Sequence, residues 1–133
     1  MVQKEILVYV IDDDDSVRRA FQLLLQSAGF DVQGFPSAKE FLDSVSPSDN
    51  GVIILDMRMP GITGLDLLKK LARRKTRCQI IAISAFEDAQ TQESARALGA
   101  GAFFTKPVDG QALIDTIQWA MGDVKNKSGP SDS

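Results

Sequence analysis

The stretch VIILDMRMPGITG at residues 52–64 decides the fold of this chain. Its first four residues are apolar without interruption, a pattern typical of a central parallel strand that is buried on both faces. Asp56 follows where this strand ends, and the Met-Pro-Gly sequence that ends at Gly61 turns the chain before an amphipathic run from Leu65. The carboxyl end of a central strand borders the ligand crevice of an open α/β sheet. Asp56 is therefore either a site carboxylate or a solvated residue at the end of a strand.

The length and composition of the chain predict one globular domain. With 133 residues, 44% of them hydrophobic and 25% charged, the chain can build one core and is too short for two ordinary domains. We expect this domain over residues 1–122 and a linker or tail over residues 123–133. No apolar run approaches the roughly 20 residues that a membrane span requires, and the amino terminus does not resemble a signal peptide. We therefore expect a cytoplasmic protein that does not interact with membranes.

The ionisable residues limit the chemistry that the chain can perform. It contains no histidine and a single cysteine, Cys78, so nucleophilic triads with histidine and zinc sites are excluded. Carboxylates, lysines and hydroxyl groups remain, and carboxylates favour hard cations such as Mg²⁺. The net charge of −3 argues against direct contact with nucleic acid, because DNA-binding surfaces normally carry a basic stripe.

Apolar runs alternate with helical patterns along the whole chain. The predicted strands cover residues 6–11, 30–35, 52–55, 79–83 and 102–105. Such alternation predicts a parallel sheet with helices on both faces and right-handed crossovers. A helix around residues 88–98 has only a thin apolar stripe, mainly Ala95 and Leu98, and a weakly anchored helix can shift at low cost.

Four consecutive aspartates follow the first predicted strand. Four neighbouring carboxylates cannot all be buried, and Asp14 or Asp15 is well placed to cap the helix that follows. Asp12 and Asp13 lie at the carboxyl end of the strand instead. Their position in the sheet is therefore equivalent to that of Asp56.

The ends of four predicted strands carry residues that suit phosphoryl chemistry: Asp12 and Asp13, Asp56, Ser84, and Lys106. Three converging acids repel one another unless a cation neutralises them, and an all-oxygen site suits Mg²⁺. A lysine and a hydroxyl group beside such an ion can bind phosphoryl oxygens. Each residue alone also fits an ordinary surface or turn position, but the combination predicts phosphoryl transfer to a carboxylate.

Four segments of the chain resemble the receiver domain of bacterial two-component response regulators: IDDDD at 11–15, LDMRMPGITGLDLL at 55–68, ISA at 83–85 and TKP at 105–107. The resemblance covers residues 6–122 with the order and spacing of the family. It implies a flavodoxin-like (βα)5 fold, a doubly wound five-stranded parallel sheet in the order 2-1-3-4-5. The sequence MRMPGITGLDLL at residues 57–68 further resembles that of receivers that precede helix-turn-helix output domains in regulators of nitrogen fixation and aromatic degradation.

The resemblance implies a role for each residue of this set. Asp56 would be the phosphoacceptor, and Asp12 and Asp13 the acidic pair. Asp13 would be the more direct ligand of Mg²⁺, together with Asp56 and the backbone carbonyl of Arg58, and Mn²⁺ would be an alternative ion. Lys106 would contact the phosphoryl group.

The resemblance also implies a switch and its partners. Ser84 would supply the hydroxyl group of the family motif, and Phe103 the switch aromatic ring, which is often tyrosine. A sensor histidine kinase would donate the phosphoryl group, since this chain has no histidine. The helix after the fourth strand, the fifth strand and the last helix would then change, causing homodimerisation or controlling an output domain or a downstream protein. Such a domain is no conventional enzyme, but it catalyses its own phosphorylation and slow autodephosphorylation.

Two side chains that flank the site predict a long-lived phosphorylated state. Arg58 follows Asp56 by two residues, and Phe86 follows Ser84 by two. A phenyl ring cannot orient a hydrolytic water, and a guanidinium can cover the site or pair with the phosphate. We therefore expect Arg58 and Phe86 to slow the loss of phosphate.

Two other functions compete with the receiver interpretation. A haloacid-dehalogenase-like phosphatase also uses an aspartyl nucleophile, but it needs a second acid two residues later, where this chain has Arg58. A flavodoxin-like nucleotide or flavin binder needs a phosphate-binding loop after the first strand, where this chain has acids. Within the receiver interpretation, the sequence leaves open a standalone relay protein, half of a transcription factor, or a receiver from a hybrid kinase.

Overall fold

The computed structural model describes residues 7–47, 49–59, 61–85 and 89–122. In this part of the chain, five strands alternate with five helices. The elements are β1 (Leu7–Ile11), α1 (Asp15–Ser27), β2 (Asp31–Phe35), α2 (Ala38–Ser44), β3 (Val52–Asp56), α3 (Gly64–Arg74), β4 (Gln79–Ser84), α4 (Ala89–Ala97), β5 (Ala102–Thr105) and α5 (Gly110–Gly122).

The strands form one parallel sheet in the order β2-β1-β3-β4-β5. This arrangement confirms the doubly wound, flavodoxin-like fold and the predicted strand order. All five residues of β3 are buried, because the strand is central and helices cover both faces of the sheet. The uninterrupted apolar run that begins at Val52 is thus explained by its position in the sheet.

Two hydrophobic cores lie on opposite faces of the sheet. Ile53 and Leu55 point into the core that α2, α3 and α4 cover. Val52 and Ile54 point into the core that α1 and α5 cover. Since successive side chains of a strand alternate between faces, each residue's position in its strand decides which group of helices it contacts.

Side chains cap the helices that follow the site loops. Asp14 caps α1, and its Oδ1 accepts hydrogen bonds from the amides of Ser16 and Val17 at 2.9 and 3.1 Å. Thr63 caps α3 in the same way through its Oγ1, which accepts from the amide of Asp66 at 3.2 Å. The prediction that one of the last two aspartates of the acidic run starts a helix is confirmed.

Two strands extend one residue beyond their predicted ends. β3 includes Asp56, which pairs with Ile83, and β4 includes Ser84, which pairs with Thr105. The sequence pattern ended both strands at the first polar side chain, but the backbone hydrogen bonds that define a strand do not depend on side-chain polarity. These extensions place the carboxylate of Asp56 and the hydroxyl group of Ser84 inside the ordered sheet.

Predictions for residues 86–88 and for the carboxyl-terminal segment fall outside the described residues. α4 begins at Ala89, and residues 86–88, with Phe86, lie outside the described residues. The predicted linker or tail over residues 123–133 lies outside them as well, so the domain boundary after residue 122 stays a prediction. Among the helices of the described segments, none is both long and apolar enough to cross a membrane.

Candidate functional site

The parallel sheet brings the strand-end residues of the sequence pattern to one edge. Asp56 and Ser84 are the last residues of β3 and β4. Asp12 directly follows β1, and Lys106 directly follows β5. Because all strands run in the same direction, their carboxyl ends meet at this edge, as the sequence predicts.

Three acids form a compact cluster at this edge. One carboxylate oxygen from each of Asp12, Asp13 and Asp56 lies within 4.8 Å of the others. Asp12 and Asp56 are buried, with 2% and 7% of their surface exposed, whereas Asp13 is exposed to solvent. Oxygen donors of this number and spacing fit a small hard cation such as Mg²⁺.

Backbone hydrogen bonds hold the buried Asp12 in place. Its Oδ1 accepts a hydrogen bond from the amide of Asp14 at 2.9 Å, and its own amide donates to the carbonyl of Phe35 at 3.1 Å. The pKa of Asp12 is raised to about 6, mainly by burial and in smaller part by the neighbouring charge of Asp56. The amide of Asp14 and the charge of Lys106 act in the opposite direction. Asp12 therefore binds a proton more readily than an ordinary aspartate, because burial disfavours its charged form.

Asp56 is held at the entrance of the β3–α3 loop. Its Oδ1 accepts a hydrogen bond from the amide of Arg58 at 3.1 Å, and the next amide, of Met57, donates to the carbonyl of Ile83 at 2.8 Å. The loop then returns to its start, where the amide of Gly64 donates to the carbonyl of Met57 at 3.3 Å. A Cβ at Gly64 would lie 2.6 Å from the Cα of Met57, which explains why a glycine begins α3.

Lys106 lies between the two buried carboxylates. Its Nζ is 3.8 Å from Oδ2 of Asp12 and 3.9 Å from Oδ2 of Asp56. Its amide donates to the carbonyl of Ser84 at 2.8 Å, so the backbone of β4 fixes its position. The side-chain distances are those of ion pairs and exceed the length of a hydrogen bond. The ammonium group can therefore approach an additional oxygen that binds at Asp56.

Ser84 and Phe103 belong to the same face of the sheet. Ser84 is 4% exposed, and its register partner Thr105 is two residues beyond Phe103. Ala82 and Phe103 are paired across the two strands, and both contact the core under α2, α3 and α4. Because side chains alternate along a strand, Ser84 is on this face as well.

The predicted roles of Arg58 and Phe86, like those of the other site residues, stay predictions. Arg58 is exposed beside Asp56, but the roles of its backbone carbonyl and of its guanidinium stay predictions. Phe86 lies outside the described residues.

Arg18 is a site residue that the sequence interpretation did not include. Its Nη1 donates to the carbonyl oxygen of Asp12 at 2.8 Å, and its Nη2 donates to Oδ1 of Asp15 at 2.5 Å. The available signal was the spacing, since a cation three residues after an acid lies on the same face of a helix. An (i, i+3) pair on its own predicts only a surface ion pair, and the contact with Asp12 depends on the tertiary structure.

Comparisons with known proteins agree with this geometry. A family model for the response regulator receiver domain matches residues 8–118. The transcriptional regulatory protein FixJ of Azorhizobium caulinodans is 43% identical over 115 residues, which cover 86% of this chain and 54% of that protein. The chain spans about half the length of the curated relatives it matches.

Solved structures that are similar in both sequence and fold include StyR and FixJ-N. A structure of the response regulator StyR is 40% identical with a TM-score of 0.80, covering 86% of this chain and 58% of that one. A structure of FixJ-N is 31% identical with a TM-score of 0.81, covering 87% of this chain and 93% of that one.

Proposed function

Since the chain belongs to the family of response regulator receiver domains, we propose that Asp56 accepts a phosphoryl group from the phosphohistidine of a sensor histidine kinase. The observation that carries this proposal is the cluster of Asp12, Asp13 and Asp56, with Lys106 between the two buried carboxylates. In the proposed transfer, a carboxylate oxygen of Asp56 forms a bond to phosphorus while the bond between phosphorus and the histidine nitrogen breaks.

The donor set of the cluster fits a divalent cation. Asp12, Asp13 and Asp56 supply carboxylate oxygens, and we assign the backbone carbonyl of Arg58 as a further ligand. Mg²⁺ is the proposed ion, and Mn²⁺ would bind the same oxygen donors. When bound, the ion neutralises the charge that otherwise repels an incoming phosphoryl group.

The remaining residues act on the oxygens of the phosphoryl group. Lys106, about equally distant from Asp12 and Asp56, turns toward a phosphoryl oxygen and balances its charge. Ser84 donates its hydroxyl hydrogen to another oxygen, since it ends the strand next to β3. Positioning and charge neutralisation of this kind account for most of the catalysis of phosphoryl transfer.

The output follows from the position of Phe103. When Ser84 is drawn toward the phosphoryl group, the half-buried ring of Phe103 enters the space on the same face of the sheet. α4 covers this face and has Ala95 as its only buried residue among those described, so α4 moves at low cost. The surface formed by α4, β5 and α5 then favours homodimerisation or binding of an output domain.

The phosphatase alternative has no support. Arg58 occupies the position where a haloacid-dehalogenase-like enzyme needs its second acid, and the family match covers residues 8–118. The relatives are transcriptional regulators, and we infer that this receiver controls transcription from the cytoplasm through an output domain. With a net charge of −3, the receiver itself would not contact DNA.

Labelling with a small phosphodonor tests the proposed function. We expect acetyl phosphate and Mg²⁺ to add one phosphoryl group to the purified chain, as detected by intact mass spectrometry. Asp56→Asn should abolish the labelling, and chelation of the metal should prevent it. Asp31→Asn, which alters an exposed aspartate of β2, is the matched control and should label normally. Continued labelling of Asp56→Asn, or turnover of the donor without a phosphorylated product, would reject the proposal.

A further inference from the structure

The guanidinium of Arg18 joins the two ends of the acidic loop at residues 12–15. Its Nη1 donates to the carbonyl oxygen of Asp12 at 2.8 Å, and its Nη2 donates to Oδ1 of Asp15 at 2.5 Å. The side chain of Arg18 is 17% exposed, whereas that of Asp15 is 78% exposed. A planar fork that binds two acceptors restricts their relative positions more than a point charge does. The bridge therefore constrains the backbone that carries Asp12 and Asp13.

The contacts of Arg18 avoid the cation-binding oxygens. Arg18 binds a backbone carbonyl and the carboxylate of Asp15, and neither belongs to the cluster of Asp12, Asp13 and Asp56. The carboxylates of the cluster thus stay available to a cation. This division suits a residue that orients metal ligands without competing for them.

Gly34 on β2 borders the other side of Arg18. A Cβ at Gly34 would lie 3.1 Å from Cδ of Arg18 and 2.7 Å from Oε1 of Gln22. The strand next to β1 is therefore close enough to confine the stem of Arg18. The carbonyl of Phe35, the next residue of β2, accepts a hydrogen bond from the amide of Asp12, so β2 also holds the acidic loop directly.

We propose that Arg18 is a positioning residue of the metal site, which sets Mg²⁺ affinity by fixing the backbone of residues 12–15. The proposal deepens the proposed function and rests on it for the identity of the metal. A purely electrostatic role predicts the opposite effect on Mg²⁺ affinity, because a nearby positive charge repels a divalent cation. The sign of the change on removing Arg18 therefore distinguishes the two roles.

Magnesium titrations without phosphodonor test the proposal. The dissociation constant is measured from amide chemical shifts of the acidic loop in the wild type, Arg18→Met, Arg18→Lys and Arg19→Met. Arg18→Met and Arg18→Lys should both weaken Mg²⁺ binding by about tenfold or more, the usual effect of losing a group that orients a metal ligand. Lysine should not rescue binding, because one ammonium cannot reproduce the fork. Arg19→Met alters the exposed neighbour and is the matched control.

The Mg²⁺ dependence of the phosphorylation rate distinguishes weaker metal binding from a general structural defect. At limiting Mg²⁺, Arg18→Met should accept phosphate from acetyl phosphate more slowly than the wild type in proportion to its weaker Mg²⁺ binding. At saturating Mg²⁺ its rate should return to that of the wild type. Tighter Mg²⁺ binding in Arg18→Met with wild-type binding in Arg18→Lys would show an electrostatic role and overturn the proposal. Unchanged Mg²⁺ binding in both variants would overturn it as well.

Gly34→Ala provides a second test that keeps Arg18 in place. The added methyl group would lie 2.7 Å from Oε1 of Gln22 and 3.1 Å from Cδ of Arg18, so both side chains must shift. We expect weaker Mg²⁺ binding, again with recovery of phosphorylation at saturating metal. Unchanged Mg²⁺ affinity in Gly34→Ala would contradict the confinement of Arg18. If the Arg18 variants bind Mg²⁺ more weakly but the wild type is never labelled, the proposed function fails while the role of Arg18 stands. If the wild type is labelled normally but the Arg18 variants bind Mg²⁺ with unchanged affinity, the proposed function stands and the role of Arg18 fails.

Discussion

At the scale of single residues, the site holds charged side chains that are largely removed from solvent, where charged groups are normally unfavourable. Asp12 is a buried carboxylate beside a second one, Asp56, and the side chain of Lys106 is only 29% exposed. A protein gains no stability from placing like charges together out of water. The arrangement costs stability in the absence of a cation, a cost that the proposed metal ion would offset.

We predict that Asp12→Asn stabilises the metal-free protein. Burial raises the pKa of Asp12 from 3.8 to about 6, so the ionised carboxyl destabilises the folded state at neutral pH. The substitution should increase the free energy of unfolding by about 1–3 kcal/mol near neutral pH. Since the folded-state pKa is the higher one, the penalty disappears as the pH falls from about 6 to about 4, and the gain should shrink over the same range.

Urea unfolding with a metal chelator measures this effect near pH 7 and near pH 5. Asp31→Asn, at an exposed position of β2, is the control and should change the stability little. An equal gain from Asp12→Asn at both pH values would contradict the explanation.

We also predict that two single residues, Arg58 and Phe86, control the lifetime of the phosphorylated state. If Arg58 and Phe86 shield the phosphoryl group, replacing them with polar residues that admit and orient water should accelerate hydrolysis. We expect the double variant Arg58→Asn and Phe86→Glu to lose phosphate about tenfold faster, a decrease of about 1.4 kcal/mol in the barrier. The decay of the phosphorylated mass after removal of the donor provides the rate. An unchanged rate would show that these side chains do not control the lifetime.

At the scale of elements, helices and strands could be predicted closely, because their patterns are local. The uninterrupted run that begins at Val52 has the composition of a strand covered on both faces, and the structure places it at the centre of the sheet. The ends of β3 and β4 were missed by one residue, at Asp56 and Ser84. There the backbone pairing of neighbouring strands continues past the last apolar side chain, and a single sequence carries no signal for that pairing.

The site residues divide along the same line. Acids, hydroxyl and lysine at strand ends could be predicted, because parallel strands bring their carboxyl ends together. The contact of Arg18 could not be predicted, because its hydrogen bond to the carbonyl of Asp12 depends on how α1 packs beside β1. Every residue type has a backbone carbonyl, so the identity of a residue does not reveal that its carbonyl accepts a hydrogen bond from a distant side chain.

The β3–α3 loop provides a test at this scale. Gly64→Ala should destabilise the protein by about 1–3 kcal/mol, because the new Cβ would lie 2.6 Å from backbone at Met57 and the loop that carries Asp56 must shift. Gly101→Ala is the matched control, since its Cβ would meet only the carbonyl of Ile80 at 3.8 Å. Denaturant unfolding of both variants measures the difference. Equal stability of the two variants would show that the loop accommodates a side chain without cost.

At the scale of the whole molecule, the sheet separates two hydrophobic cores, and neighbouring residues of β5 contact different cores. Phe103 contacts the core under α2, α3 and α4, whereas the next residue, Phe104, contacts the core under α1 and α5. Ser84 shares the face of Phe103 by strand alternation. Under the proposed function, a change at Ser84 would therefore reach first the face that carries α4, the helix with the fewest buried residues on that side among those described.

We predict that occupation of the site changes α4, β5 and α5 and leaves α2 unaffected. Beryllofluoride with Mg²⁺, which mimics a phosphoryl group, should alter amide hydrogen exchange mainly in these three elements, since a weakly anchored helix needs a bias of only a few kcal/mol to move. Phe103→Ala should still accept phosphate but lose the exchange response in α4, because no ring remains to enter the vacated space. If the altered surface binds a second copy, analytical ultracentrifugation should show beryllofluoride-dependent dimers for the wild type and none for Phe103→Ala. A uniform exchange response, or one confined to residues 30–45, would contradict transmission through this face of the sheet.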